Sequence, residues 1–212
     1  MIEFVDMSNN CNFIGNPILE QHKLRYNAII ERQDWNVPSY KELEFDQYDN
    51  PATKYLIYRD EGGVVRGVSR FYPTTLPYML EEQFSHFVTD MEIPKNERIW
   101  EGSRFCIDNT LNASLRKKII NEIVVAYLEA CLFFDVHSVV GLMYPAYWRG
   151  LFIQAGWPIE FIGDVIKLDD GHKARAAILP VSQSILTNVR ETTGIHYKIV
   201  NFGEYYERKK AA

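Results

Sequence analysis

The sequence predicts an α/β fold in which a mixed sheet is covered by helices on both faces. Three observations predict it. A long stretch from Ser114 to Phe134 has helical apolar spacing, runs rich in β-branched and aromatic residues flank it, and the element order is helix, strands, long helix, strand, helix, strands.

The opening helix is expected over Pro17 to about Gln33, where Ile18, Leu19, His22, Leu24, Tyr26, Ile29 and Ile30 fall near helical spacing. Tyr55 to Arg59 and Val64 to Tyr72 read as antiparallel strands joined by Asp60-Glu61-Gly62-Gly63, a segment with hairpin turn chemistry. Pro73 and Pro77 are expected to end the second strand, because proline donates no ladder hydrogen bond. Ile99 to Ile107 is another strand. In the long helix Leu115, Ile119, Ile120, Ile123, Val124, Tyr127, Ala130, Cys131 and Phe134 recur at three- and four-residue spacing. His137 to Tyr144 then reads as a short buried strand, and Pro145 opens a helix running to about Ala155 with Gly156 as its stop. Val165 to Leu168 and Arg175 to Leu179 resume strand character, and a last helix covers Ser182 to Thr192. Neither a repeat nor a linker interrupts the 212 residues, so one domain, 1–212, is expected.

Composition excludes several classes. With 47% hydrophobic, 14% aromatic and 24% charged residues, the chain has apolar surface enough to offset ordering entropy. Its net charge of −5, with basic residues scattered among acids, does not fit a nucleic-acid partner. The N-terminus lacks the features of a secretory signal, and no apolar run approaches the roughly 20 residues needed to span a bilayer. A cytoplasmic protein without a membrane partner is the expectation. Cys11, Cys106 and Cys131 are odd in number and widely spaced, as reduced thiols would be. The five histidines have no metal-ligand spacing, and no metal site is expected. P-loop, G-x-G-x-x-G, H-E-x-x-H, C-x-x-C and G-x-S-x-G patterns are all absent.

Two stretches carry charge where charge is costly. In Lys41-Glu42-Leu43-Glu44-Phe45-Asp46-Gln47-Tyr48-Asp49 acids alternate with apolar residues, either as a solvated loop or as a functional cluster. Trp100-Glu101-Gly102-Ser103-Arg104-Phe105 places a carboxylate and a guanidinium inside a strand. Ideal pleating sends Glu101 and Arg104 to opposite faces, unless a bulge near Gly102 intervenes. Arg70 is a third charge on an apolar strand and is suited to pair with the acids at 46 to 49, as a structural network or as part of a site.

Taken together these segments resemble the LuxI-type acyl-homoserine-lactone synthases. The motifs are Arg25-Tyr26, Trp35, Glu44-Phe45-Asp46-Gln47-Tyr48-Asp49, the run from Arg70 through Met79 to Leu80, and Trp100 to Phe105, in the family's order and spacing. The match runs from Arg25 to about Arg104, with weaker similarity through Trp157. One departure is Ile29, which stands where the family carries phenylalanine. The resemblance implies a three-layer α-β-α sandwich like that of GNAT N-acyltransferases. It also implies transfer of an acyl group from a carrier thioester to the amine of S-adenosylmethionine, followed by lactone closure with release of 5′-methylthioadenosine, for quorum-sensing signal production.

Under that resemblance Asp46, Asp49 and Glu44 complement the sulfonium and ammonium, and Arg25 or Arg70 holds the carboxylate. Trp35 offers an aromatic face, with Ile29 and Phe105 completing the nucleoside's surroundings. Glu101 is the general base, and Arg104 and Arg70 fix the geometry of the acids. Met79, Phe105, Leu142, Met143, Tyr147, Trp148, Phe152 and Ile153 line the acyl pocket, although the same residues would serve as ordinary core. Family members that favour 3-oxo chains place a threonine near Met143, so a chain without that group is expected. Ile107-Asp108-Asn109-Thr110-Leu111-Asn112 has no glycine-rich turn to grip a diphosphate, which favours acyl carrier protein over acyl-CoA as donor. Arg116, Lys117 and Lys118 are candidates to meet the carrier. No resident cofactor is expected, since S-adenosylmethionine and the thioester are substrates. Two other readings stay open: a GNAT-like N-acyltransferase acting on another amine, and a non-catalytic ligand-binding sensor.

Overall fold

The computed structural model describes residues 1–168 and 171–211. In chain order the elements are β1 (Ile2–Val5), α1 (Pro17–Arg25, continued by a wider π-helical turn Tyr26–Glu31), β2 (Ser39–Tyr40), β3 (Leu43–Glu44), β4 (Lys54–Arg59), β5 (Val65–Pro73), α2 (Met79–Phe84) and β6 (Ile99–Ile107). There follow α3 (Ala113–Phe133), β7 (Ser138–Met143), α4 (Pro145–Tyr147, continued by π-helical and 3-10 turns to Ala155), β8 (Glu160–Phe161), β9 (Ile166–Lys167), β10 (Lys173–Pro180), α5 (Gln183–Thr193), β11 (Val200–Asn201) and α6 (Gly203–Ala211). This is a mixed α/β fold. Among the described residues no helix is long and apolar enough to cross a membrane.

The chain divides into two compact units. The first comprises Met1–Phe71, Arg104–Ala126 and Ile199–Ala212, and the second Tyr72–Ser103 and Tyr127–Lys198. In the first unit β1 pairs in parallel with β11 and antiparallel with β4, opposing Phe4 to Leu56, and β4 pairs antiparallel with β5, opposing Tyr55 to Arg70. Helix α1 starts at Pro17, whose missing N–H costs nothing there, and Asn16 caps it by accepting from the Leu19 amide. Its inner face joins Leu24, Ala28 and Ile29 to Val5, Tyr55, Ile57, Val65, Val68 and Cys106 in one apolar cluster. Burial of that cluster fixes the helix over the sheet face from which Arg70 projects.

In the second unit β6 runs parallel to β7, pairing Ile99 with Ser138 and Glu101 with Val140, where the pairing stops although both strands run on. Strand β10 is antiparallel to β7 and to β8. Trp148, Phe152, Trp157 and Tyr127 form its aromatic core through edge and tilted contacts. Both buried indoles satisfy their N–H, Trp148 on the Arg175 carbonyl and Trp157 on that of Pro180, each at 2.8 Å.

Several boundaries differ from the sequence reading. The α-helix proper ends at Arg25, because the turn after it widens, although helical backbone continues to Glu31. β5 runs through Pro73. β1, β2, β3, β8, β11, α2 and α6 were not anticipated.

Candidate functional site

In the first unit three arginines and three acids interlock. Arg25, from the end of α1, is fully buried and donates through Nε to Glu44, through Nη1 and Nη2 to Asp49 at 2.7 and 2.8 Å, and through Nη1 to Gln21. Arg70, from β5, pairs with Asp46 at 2.6 Å and Asp49 at 3.1 Å. Arg104, from β6, holds Glu44 at 3.0 Å and Asp46 at 2.7 Å. Tyr55 donates its hydroxyl to Asp49 at 2.7 Å. The acids themselves sit on a segment whose turn is shaped by Lys41 and Glu42, both with positive φ.

Arg104 also has φ 53°, outside the strand region. A side chain at Gly102 would meet Tyr127 of α3, and Ile107 packs beside Gly67 together with Ile119 and Ile123 of α3. The positive φ at Arg104 interrupts the regular alternation of the strand there. From this left-handed position the Arg104 side chain reaches Glu44 and Asp46. A left-handed arginine costs on the order of 1 kcal/mol or more, which its two carboxylate bonds offset.

The arrangement adds two features to the sequence reading. Three carboxylates face three guanidiniums, so the cluster is charge-balanced and not a negatively charged pocket. Arg25 and Arg70 are wholly buried and paired with acids. The least buried members are Arg104 and Asp46, whose side chains are 9% and 12% exposed. Where a ligand's charges enter the network, this pair is the accessible edge.

Asp49 shows what the network does electrostatically. Burial pushes its carboxyl up, but the hydrogen bonds and charge of Arg25 and the charge of Arg70 outweigh it and hold Asp49 well below the usual carboxylate range. A depressed folded-state pKa contributes stability above the unfolded value, about 3.9, and that stability is lost as pH falls toward the folded value. Chemical denaturation is therefore expected to show unfolding free energy falling as pH drops below about 5, with a shallower fall in Asp49→Asn. Equal slopes in the two proteins would contradict it. Burial pushes the neighbouring Cys106 thiol up to about 11, so it stays protonated at neutral pH and acts as apolar filling.

Trp35 and Ile29 lie together, Trp35 half-buried against the cluster that contains Ile29. Phe105 is half-buried on β6. In the second unit Glu101 is buried, its two carboxylate oxygens accepting the Leu80 amide at 2.7 Å and the Met79 amide at 3.4 Å. Those amides belong to the first turn of α2, where main-chain N–H groups point out of the helix end and suit a carboxylate. Leu142 and Met143 end β7 half-buried, and Trp148 and Phe152 are core, whereas Tyr147 and Ile153 are exposed. The last two do not join Trp148 and Phe152 in the interior. Lys117 and Lys118 are exposed and Arg116 half-buried in the first turns of α3. The sequence reading missed Gln21, His22 and Tyr55 as supports of the network. For Tyr55 a signal existed, since hairpin register places it opposite Arg70.

The profile of a family described as autoinducer synthase matches residues 12–189. A curated acyl-homoserine-lactone synthase of Vibrio anguillarum is 38% identical over 93 residues, 44% of this chain and 48% of that protein, so the matched stretch spans about half the relative's length. The solved structure of a CoA-dependent acyl-homoserine lactone synthase, with S-adenosylmethionine and isopentyl-CoA, superposes with a TM-score of 0.85 at 26% identity, covering 100% of this chain and 99% of the other. A protein assigned as an N-acetyltransferase, from Lactobacillus plantarum, gives 0.54 at 11% identity over 86% of this chain and 98% of its own, a likeness of fold alone. The profile covers most of the chain, including every member of the arginine and acid network, and on that ground the chain belongs to the autoinducer synthase family.

Proposed function

We propose that this protein is an acyl-homoserine-lactone synthase. It joins an acyl group from a thioester to the amine of S-adenosylmethionine and closes the lactone with release of 5′-methylthioadenosine, as one cytoplasmic domain over 1–212 and without a resident cofactor. The observation that carries the reading is the Asp46–Arg104 pair at the edge of a charge-balanced network. The amino-acid end of S-adenosylmethionine is a zwitterion beside a sulfonium, and it needs an anion for its ammonium and a cation for its carboxylate at fixed spacing. Asp46 takes the ammonium and Arg104 the carboxylate, while Arg25, Arg70, Glu44 and Asp49 hold that pair in place. Trp35, Ile29 and Phe105 give the nucleoside an apolar and aromatic surface.

The ammonium must lose a proton before it attacks the thioester carbonyl, and Glu101 receives that proton directly or through water. Backbone N–H groups of β6 beyond its pairing with β7 stabilise the oxyanion. After the thiol leaves, the methionine carboxylate displaces methylthioadenosine from its own γ-carbon, a closure favoured by holding nucleophile and carbon together. Met79, Leu142, Met143, Trp148 and Phe152 receive the acyl chain, with Tyr147 and Ile153 outside its path.

Acyl carrier protein is the proposed donor, meeting Arg116, Lys117 and Lys118, because the loop after β6 lacks a glycine-rich diphosphate grip. A second reading, acyl-CoA as donor, is favoured by the likeness to a CoA-dependent synthase. Incubating the purified protein with S-adenosylmethionine and a panel of acyl carrier protein and CoA thioesters, with products read by mass spectrometry, tests both. Equimolar acyl-homoserine lactone and methylthioadenosine, with chains lacking a 3-oxo group, are expected. Free thiol without methylthioadenosine would point to another amine acceptor, and binding without turnover to a sensor.

A further inference from the structure

Glu44 and Asp46 lie on a segment outside the sheet formed by β11, β1, β4 and β5. Among the described residues its only strand pairing is the two-residue ladder of β2 and β3, Ser39 opposite Glu44 and Tyr40 opposite Leu43, joined by a turn with two residues at positive φ. Such a ribbon is too short to fix carboxylates by itself. His22, on α1, reaches across to it, with Nδ1 2.8 Å from the Glu44 carbonyl oxygen. A carbonyl only accepts, so Nδ1 carries the proton and donates. The imidazole is half-buried and fixed on two sides by edge contacts, at 6.3 Å from the Tyr55 ring and 6.4 Å from the Phe45 ring.

We infer that His22 is a positioning residue for the sulfonium nucleotide: its Nδ1–H ties the Glu44 backbone to α1 and so sets where the Glu44 and Asp46 carboxylates stand. The arginines hold those acids by their side chains, whereas His22 holds the main chain that carries them. Without it the segment is free to shift on β2 and β3 while its ion pairs follow. This inference rests on the reading of the network as the S-adenosylmethionine site.

The test compares His22→Ala and His22→Asn with the parent protein in calorimetric titration of S-adenosylmethionine and in steady-state turnover. Asparagine Nδ2 occupies about the place of histidine Nδ1 and can donate to the same carbonyl. His22→Ala is expected to weaken S-adenosylmethionine binding and raise its KM by roughly tenfold, with the thioester KM within about twofold, the scale of one lost, partly buried hydrogen bond. His22→Asn is expected to restore most of the binding. Unchanged binding in His22→Ala, or equal weakening in both variants at equal thermal stability, would overturn the inference. A parent protein that binds no S-adenosylmethionine would instead overturn the functional reading on which it rests.

Discussion

Replacing Arg25 by methionine is expected to lower the unfolding free energy by about 3–5 kcal/mol, and the melting temperature by on the order of 10 °C. The methylenes of the new side chain fill much of the same space, so the loss is electrostatic. Arg25 reaches both Glu44 and Asp49, and its own side chain and that of Glu44 are fully buried. Removing it leaves three carboxylates to two guanidiniums, with Arg104 and Arg70 already shared. Arg25→Lys is expected to fall between the two proteins, because an ammonium cannot present a rigid fork to one carboxylate and a further N–H to another. Adding Asp49→Asn to Arg25→Met should recover part of the loss, since it removes one stranded charge. Thermal and denaturant unfolding of the four proteins checks the order, and an Arg25→Met protein as stable as the parent would contradict it.

Glu101→Gln is expected to reduce turnover by about 10²- to 10⁴-fold, the usual contribution of a positioned base, while S-adenosylmethionine binds as before. The carboxylate accepts from backbone, the Leu80 amide at 2.7 Å and the Met79 amide at 3.4 Å, so the start of α2 helps to set its direction. Glutamine keeps an oxygen for Leu80 but loses the capacity to take a proton. It also turns an N–H₂ toward the Met79 amide, which costs about 1–2 kcal/mol of stability and leaves the fold standing. Turnover measured beside melting temperature separates the two effects. Activity within a few-fold of the parent, at equal stability, would remove Glu101 from the role of base.

Where local pattern decides structure, the sequence was legible. β6 was read as Ile99 to Ile107, as observed, and α3 within one residue at each end, because their apolar spacing is regular and their flanks carry stop signals. Long-range partners were not legible. Ile2–Val5 is a four-residue strand without turn signals, and it exists because Val200 and the Tyr55–Tyr58 stretch lie on either side of it. α2 follows Pro77, which reads from sequence as a strand terminator and not as the approach to a helix.

The site divides the same way. Pairing of Arg70 with the acids at 46 to 49 was visible as a charge on an apolar strand in need of a partner. The bonds from Arg25 to Glu44 and Asp49 cross a turn whose positive φ angles fall on Lys41 and Glu42, residues with no glycine-like signature. Nor was the charge balance visible, since counting acids along 44 to 49 gives a negative segment until three distant arginines fold onto it.

On this reading the Asp46–Arg104 edge of a neutral network receives the zwitterionic, sulfonium-bearing end of S-adenosylmethionine. Calorimetric titration of S-adenosylmethionine beside methylthioadenosine tests it most directly, because the two share the nucleoside and differ in that end alone. The account predicts that the parent protein binds S-adenosylmethionine at least about tenfold more tightly, and that Asp46→Asn or Arg104→Gln removes most of the difference. Equal affinity for the two compounds in the parent protein, or a difference untouched by either substitution, would contradict it.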